Sequence, residues 1–153
     1  MLVDALIDPK RVLARTLDAL QPAFALATRV YVSWVFLKSG WLKLSDWGST
    51  LALFEYEYRV PLLTPTLAAI AGTAGELVFP ALLILGLFGR FSALGLQAVN
   101  VLAVVSYAHV LFQEGFAAAI GQHYLWGYML LVLAIYGPGA WSMDRWLQAR
   151  RRR

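Results

Sequence analysis

The stretch TPTLAAIAGTAGELVFPALLILGLF, residues 64–88, holds a single charged side chain, Glu76, among its 25 residues. A membrane-spanning helix needs about 20 mostly apolar residues to cross roughly 30 Å of hydrocarbon. The stretch also opens with Thr64 and Pro65, residue types that favour the N-cap and the first turn of a helix. These features predict a membrane-spanning helix that begins beside Thr64.

Three other runs have a similar length and character, at about 22–42, 91–112 and 117–136. The last run stops at Gly137, Pro138 and Gly139, where a helix cannot continue. The sequence therefore predicts an all-α membrane protein, a bundle of four transmembrane helices that forms one membrane domain over residues 1–153.

Shorter amphipathic segments flank the four spans. Residues 1–21 carry apolar side chains at helical spacing among charges, without the long apolar core or the cleavage site of a signal peptide. Between the first two spans, Asp46 is placed to cap a short helix within residues 47–58. The basic tail at 137–153 contains another helical pattern. We expect interfacial helices at the N-terminus, in this outer loop and at the C-terminus.

Composition excludes several classes of protein. Hydrophobic residues make up 60% of the chain and charged residues 14%, against about 45–50% and 25% in soluble domains. The lack of cysteine excludes disulfides, thiolate metal sites and persulfide chemistry on this chain. The net charge of +4 comes from basic residues that mostly flank the spans, so it predicts topology and contact with the lipid bilayer, with no nucleic-acid partner.

The distribution of basic residues predicts the orientation of the chain. Nine lie on the side of the termini and two on the side of the outer loop. Basic loops stay in the cytoplasm, so we expect a multi-pass protein of the bacterial inner (plasma) membrane with both termini cytoplasmic. The nine are Lys10, Arg11, Arg15, Arg90, Arg145 and Arg150 to Arg153, and the two are Lys43 and Arg59.

Two charged residues within the spans require an explanation, because a charge at the centre of a membrane helix costs about 2.5–3.5 kcal/mol or more. Arg29 lies on a polar and small-residue face of the first span, and Glu76 lies on a similar face of the second. Counting from the expected cytoplasmic boundaries, their depths predict a buried ion pair, with Gln97 and Asn100 of the third span beside it. Three roles stay open: a structural pair, a protonatable carboxylate on a ligand or proton path, or placement towards lipid.

The remaining candidate ligand-binding residues lie towards the outer ends of the spans: Lys43, His109, His123 and Trp126. The two histidines suit interfacial hydrogen bonds, contact with a redox ligand, or haem or metal ligation with Glu114, although no spacing motif supports a metal site. Most tryptophans, Trp126 included, fit an ordinary aromatic belt. We expect no intrinsic cofactor, and a quinone-like ligand that contacts Lys43 and His123 in preference to Arg29 and Asn100.

Several motifs together resemble the DoxX family of small bacterial and archaeal membrane proteins, from about residue 29 to residue 144. They are FLKSGWLKLSDW (36–47), LFEYEYRVPLL (53–63), GELVFPALLILGLFGR (75–90) and YGPG (136–139). The features that carry the resemblance are Arg29 of the first span, the run Ser39-Gly40-x-x-Lys43, Glu76, and the run Gly86-Leu87-x-x-Arg90.

The resemblance implies a four-helix membrane bundle that is associated with membrane redox systems, because named members are linked to thiosulfate:quinone oxidoreductase and to oxidative-stress complexes. It supplies no catalytic residues. The expected function is an accessory or quinone-proximal subunit of a redox or stress-response system, with a membrane or soluble redox protein as partner. The alternatives are a small proton-coupled carrier or permeation protein and a ligand-free membrane scaffold.

Overall fold

The computed structural model of the protein describes residues 9–152 and is all-helical over that range. Four of its helices are long and apolar enough to cross a membrane, which confirms the four-helix membrane bundle. The helices are α1 (Pro9–Ser45), α2 (Trp47–Ala52), α3 (Pro65–Leu85), α4 (Gly89–Ser106), α5 (Ala108–Leu111), α6 (Ala117–Tyr136) and α7 (Met143–Arg151), and a π-helical turn (Leu53–Glu57) follows α2.

The spanning helices α1, α3, α4 and α6 run alternately in opposite directions, so the bundle has two chemically different ends. We call the end that carries residues 46–64 and 107–116 the loop end, and the end that carries residues 86–88 and 137–152 the tail end. The main packing contacts join α1 to α3, α3 to α4, and α4 to α6. A buried apolar core runs between them, made of Val32, Phe36, Leu83, Ala93, Leu96, Leu130 and Leu133.

Small residues let α3 and α4 approach closely. A Cβ atom on Gly75 would lie 2.7 Å from Cγ2 of Val99, and one on Gly95 would collide with the ring of Phe79. Membrane helices depend on this kind of close packing, because lipid tails are as apolar as the side chains and give little hydrophobic drive to associate.

The predicted helix starts are confirmed where capping side chains mark them. Thr64 accepts a hydrogen bond from the backbone N–H of Leu67, with Pro65 in the first turn of α3. Asp46 accepts from the backbone N–H of Ser49 at the start of α2. That hydrogen bond holds the pKa of the Asp46 carboxyl below its ordinary value, because it stabilises the ionised form.

The first span differs from the prediction. Residues 9–45 form one continuous helix with Pro22 inside it, so the segment before Pro22 is not a separate interfacial helix over the described residues; residues 1–8 lie outside them. A proline in a helix removes one N–H donor and disfavours the preceding turn, yet no glycine or second proline adjoins Pro22 to end the helix. The interior proline therefore does not end the helix.

The third span is interrupted near the loop end, where one helix was predicted over residues 91–112. Helix α4 ends at Ser106, and the four-residue α5 follows after Tyr107. The carbonyl of Ser106 accepts from the N–H of Arg59 at 2.9 Å, while Val110 donates to Tyr107 in a tighter turn. In a continuous helix the carbonyl of Ser106 would accept from the N–H of Val110. Here it accepts from the N–H of Arg59 in the loop instead.

The C-terminal segment closes the tail end of the bundle. Both carboxylate oxygens of Asp144 accept backbone N–H groups at the start of α4, from Phe88 at 2.9 Å and from Gly89 at 2.8 Å. The N–H of Asp144 donates in return to the carbonyl of Gly86. Asp144 therefore caps a helix that lies more than fifty residues earlier in the chain. Beyond it, α7 has no buried residue, as predicted for a surface helix.

Candidate functional site

The buried carboxylate of α3 pairs with a lysine. Nζ of Lys43 lies 2.8 Å from Oε1 and 2.7 Å from Oε2 of Glu76, and it also donates to Oγ of Ser39 at 2.8 Å. The Lys43 and Glu76 side chains are only 14% and 10% exposed. Because an ammonium group has three N–H donors, these bonds use all the donors of Lys43.

Gly40 makes this ion pair possible. A Cβ atom at Gly40 would lie 3.0 Å from both Cβ of Glu76 and the side chain of Leu77, so α1 and α3 nearly touch at this point. Lys43 lies three residues further along the same face of α1, within reach of the carboxylate one turn of helix away. The spacing of Gly40 and Lys43 therefore places the ammonium group beside Glu76.

The predicted pairing of Arg29 with Glu76 is wrong. Arg29 is 1% exposed, but its Nη2 donates to the carbonyl of Trp141 at 2.6 Å, at the tail end. Its guanidinium also fills the space beside Gly86, where any Cβ atom would collide with it. Among the described residues, Nε and Nη1 of Arg29 have no hydrogen-bond partner. Arg29 thus holds the C-terminal segment against the bundle.

The error lies in the register of α1 against α3. Arg29 lies beside Gly86, and Gly40 lies beside Glu76. Arg29 and Gly40 are eleven residues apart, and Glu76 and Gly86 are ten apart, so the two intervals are about 15–17 Å of helix. The depth of Arg29 was counted from Pro22 as a membrane boundary, whereas α1 passes straight through that proline. The inward faces were predicted correctly, but the partners along them were not.

Asn100 and Gln97 do not surround an Arg29–Glu76 pair either. Asn100, which is buried, bonds to His123 of α6 twice: Nδ2 donates to the backbone carbonyl at 3.0 Å, and Oδ1 lies 2.8 Å from the ring Nδ1. Gln97 is packed close to Gly127, and its Oε1 has no partner among residues 9–152. Both amides therefore contact α6 instead of α1.

A cavity of about 350 Å³ lies beside the Lys43–Glu76 pair, in the half of the bundle nearer the loop end. All four spanning helices and the loop after α2 contribute to its wall, which is mostly apolar. The polar or charged side chains on it are Ser39, Lys43, Tyr58, Glu76, Ser106, Tyr107 and His123. This volume lies within the range of about 300–1,000 Å³ that small-molecule sites occupy.

Two rows of aromatic rings border the cavity. On one side Trp126 packs edge-to-face against Phe36, with ring centroids 5.7 Å apart, and against His123 at 5.0 Å. On the other side Tyr58 packs against Phe54 at 4.9 Å and against Tyr107 at 5.2 Å. Flat, rigid walls of this kind favour a planar aromatic ligand through offset and edge-to-face contacts.

The candidate ligand residues separate into two groups. Lys43, His123 and Trp126 line the cavity, whereas His109 does not and instead packs against Tyr107. Trp126 packs against the buried core of the bundle and so does not act only as a belt residue.

Lys43 lies on the cavity wall, but its N–H donors are already used. Within residues 9–152, no group of three His, Asp or Glu side chains is placed to hold a metal.

The outer loop also contributes to the site, which was not predicted from the sequence. Phe54 is buried against Ala68 and Ala69 of α3, and Tyr58 extends this packing over the cavity. Burial and the nearby Glu76, Tyr107 and Glu57 raise the pKa of Tyr58, so its hydroxyl stays protonated. The spacing of Phe54 and Tyr58 was the available signal, because residues four apart share one face of a helical turn, whereas Tyr56 between them is exposed.

A wider depression of about 1110 Å³ lies at the tail end, between the first half of α1 and the C-terminal segment. It has two acidic wall residues: Asp144 caps α4 with both carboxylate oxygens, and Asp18 accepts a hydrogen bond from Gln21. The cavity at the loop end is the better candidate site, because it combines the ion pair, a histidine and aromatic walls.

Comparison with known proteins supports a family assignment. The family model DoxX matches residues 24–110, which is more than half of the chain. An uncharacterized protein of Haemophilus influenzae (strain ATCC 51907 / DSM 11121 / KW20 / Rd) is 29% identical over 126 residues, covering 78% of this chain and 80% of the relative. No solved structure matches the chain.

Proposed function

Because the chain belongs to the DoxX family, we propose that it is an accessory, quinone-proximal subunit of a redox or stress-response system. In this proposal the protein lies in the bacterial inner membrane as one membrane domain, with both termini in the cytoplasm. A quinone ring occupies the cavity at the loop end, on the periplasmic side. The chain carries no redox centre of its own, and the oxidoreductase chemistry belongs to a partner protein.

The cavity is the observation that carries this proposal. It lies among four membrane helices and has the volume of a small-molecule site, with aromatic rings on two sides. Protonated Tyr58 and the indole of Trp126 offer donors on its wall for a ligand carbonyl. An apolar ring with polar oxygens, delivered from the lipid phase, matches this combination of surfaces.

Quinone binding is tested by fluorescence of the purified protein in detergent, titrated with ubiquinone-1. We expect saturable quenching of tryptophan emission, reduced in amplitude in Trp126→Phe because Trp126 lines the cavity. Ala103→Phe, which fills the cavity, should weaken binding at least tenfold. Ala98→Phe is the matched control on the same helix, since Ala98 is exposed on the outer surface. Non-saturable quenching, or equal binding in both alanine variants, would contradict the proposal.

The partner half of the proposal has a separate test. Native membranes solubilised in mild detergent should yield the chain together with an oxidoreductase subunit, and the complex should reduce or oxidise added quinone. Copurification of the chain without any redox protein, under conditions that preserve other membrane complexes, would favour the scaffold alternative.

The Lys43–Glu76 pair also supports a second candidate, a proton-coupled carrier, because a titratable carboxylate on a cavity wall within the membrane is typical of proton pathways. In proteoliposomes with an imposed pH gradient, a carrier would take up protons in a manner that Glu76→Gln abolishes. Absence of proton flux together with saturable quinone binding would favour the quinone proposal.

A further inference from the structure

The hydrogen bonds between Asn100 and His123 determine which nitrogen of the histidine carries a proton. A backbone carbonyl only accepts hydrogen bonds, so the atom of Asn100 that lies 3.0 Å from the carbonyl of His123 must be the amide nitrogen. The amide oxygen then faces Nδ1 of the ring at 2.8 Å. Because an amide oxygen also only accepts, Nδ1 must donate.

It follows that Nε2 is the basic nitrogen of a neutral His123. No group within residues 9–152 bonds to Nε2. The ring lines the cavity and packs edge-to-face on Trp126, with centroids 5.0 Å apart. The nitrogen bonded to Asn100 is held towards α4, so Nε2 is left for whatever occupies the cavity.

The other ionic groups on the wall do not compete for this role. Lys43 donates its three N–H groups to Ser39 and to both carboxylate oxygens of Glu76. Each oxygen of Glu76 therefore already accepts one hydrogen bond. The donors and acceptors of the ion pair thus satisfy each other, whereas the lone pair of His123 Nε2 receives no hydrogen bond from residues 9–152. A ligand that brings a hydroxyl group satisfies it, and a ligand that brings only carbonyl oxygens leaves it unpaired.

Resting on the proposed function, we infer that His123 Nε2 accepts a hydrogen bond from a ring hydroxyl of the ligand, and that the cavity therefore binds the reduced, hydroquinone form more tightly than the quinone. Asn100 is the positioning residue, since it fixes the tautomer and the ring orientation without lining the cavity. One additional hydrogen bond corresponds to about a five- to tenfold difference in affinity between the two forms.

The tautomer is measured first, on protein in which His109 is replaced by Gln so that His123 is the single histidine. We expect the ¹⁵N NMR spectrum of the histidine-labelled protein to show a protonated Nδ1 and an unprotonated Nε2. Ubiquinol-1 added under nitrogen should shift the Nε2 resonance in the direction of hydrogen-bond acceptance, while ubiquinone-1 should not. A protonated Nε2 in the ligand-free protein would overturn the inference without needing any variant of the site.

Affinities are then compared for ubiquinol-1, ubiquinone-1 and the dimethyl ether of ubiquinol-1, which retains the ring and lacks the hydroxyl groups. We expect ubiquinol-1 to bind about five- to tenfold more tightly than the other two. His123→Phe and Asn100→Leu should reduce this preference, whereas Gln97→Leu, one turn away on α4, should preserve it. Each variant is checked for an unchanged elution profile in detergent.

The outcomes separate the two proposals. Equal affinity for all three probes, with saturable binding, would overturn the hydroxyl preference and leave quinone binding in place. Absence of saturable binding of any probe would overturn both. Retention of the preference in His123→Phe would exclude Nε2 as the acceptor.

Discussion

At the scale of single residues, the site depends on which charges share a helix face and which of them meet. The face of α1 that contains Arg29, Ser33, Phe36 and Gly40 is buried, as helical periodicity indicates. The two ends of that face differ in role: Lys43 pairs with Glu76 beside the cavity, and Arg29 binds a backbone carbonyl at the tail end. The two cations of this face therefore have different partners, at opposite ends of the bundle.

Removing one member of the ion pair should destabilise the protein strongly. Glu76→Gln leaves the ammonium of Lys43 with weaker, neutral partners in a site where it is 14% exposed. We expect a loss of about 3 kcal/mol in the free energy of unfolding, at the lower end of the range for buried pairs because some solvent exposure persists. Unfolding in detergent with increasing denaturing surfactant gives the measurement.

A matched pair of controls keeps this prediction specific. Glu55→Gln, at an exposed position of the outer loop, should have little effect. The double variant Lys43→Met/Glu76→Leu should recover much of the lost stability, because it leaves no unpaired charge. Wild-type stability in Glu76→Gln would show that the pair does not stabilise the bundle.

The partners of Arg29 and Glu76 could not be predicted from the sequence. Periodicity fixes the direction in which Arg29 and Glu76 point, but their pairing depends on the relative height of two helices. That height is set by two close contacts, one between Gly40 and Glu76 and one between Gly86 and the Arg29 guanidinium. These are close approaches in three dimensions, and a count of residues from an assumed membrane boundary does not contain them.

At the scale of helices, small residues and distant caps determine how the elements fit. The four spans were predictable from long apolar runs, and α6 matches its expected limits at residues 117–136. The interruption between α4 and α5 was not predictable in this way. The N–H of Arg59, which donates to the carbonyl of Ser106, comes from a different part of the chain. Local sequence predicts a helix well, whereas its interruption here depends on a contact formed only in the folded protein.

The contact between α1 and α3 should be sensitive to an added methyl group. Gly40→Ala places a Cβ atom 3.0 Å from Glu76 and Leu77, so we expect about 1–3 kcal/mol of destabilisation from overpacking. Gly121→Ala is the control, since a Cβ atom there meets nothing within 4 Å, and it should stabilise α6 by roughly 0.5–1 kcal/mol. Thermal unfolding in detergent compares the two, and equal effects would refute the close approach.

The cap on α4 can be removed by a single substitution. Asp144→Ala deletes both acceptors of the N–H groups of Phe88 and Gly89, and losing a cap of this kind costs about 1–2 kcal/mol. Asp18→Ala provides the comparison, because Asp18 accepts a hydrogen bond from Gln21 on the exposed part of α1, away from the start of α4. Faster hydrogen exchange should appear at residues 88–90 in Asp144→Ala alone, and unchanged protection there would argue against the cap.

At the scale of the whole molecule, nine basic residues on one side and two on the other predict the orientation in the membrane. Single cysteines introduced at Ser49 and Gln148, both exposed, report the two ends in a chain that has no cysteine of its own. We expect an impermeant maleimide applied to intact cells, after permeabilisation of the outer membrane, to label the residue at 49 and not the residue at 148. The reverse pattern would invert the proposed topology.

The closure of the tail end by Asp144 and Trp141 also has a consequence for biosynthesis. The first turn of α4 and the Arg29 guanidinium both obtain their partners from residues 141–144, which leave the ribosome after every spanning helix has been made. The bundle therefore completes its hydrogen bonds only once these last residues arrive. Before residues 141–144 are made, the first turn of α4 lacks the carboxylate that caps it, and Nη2 of Arg29 lacks its carbonyl acceptor.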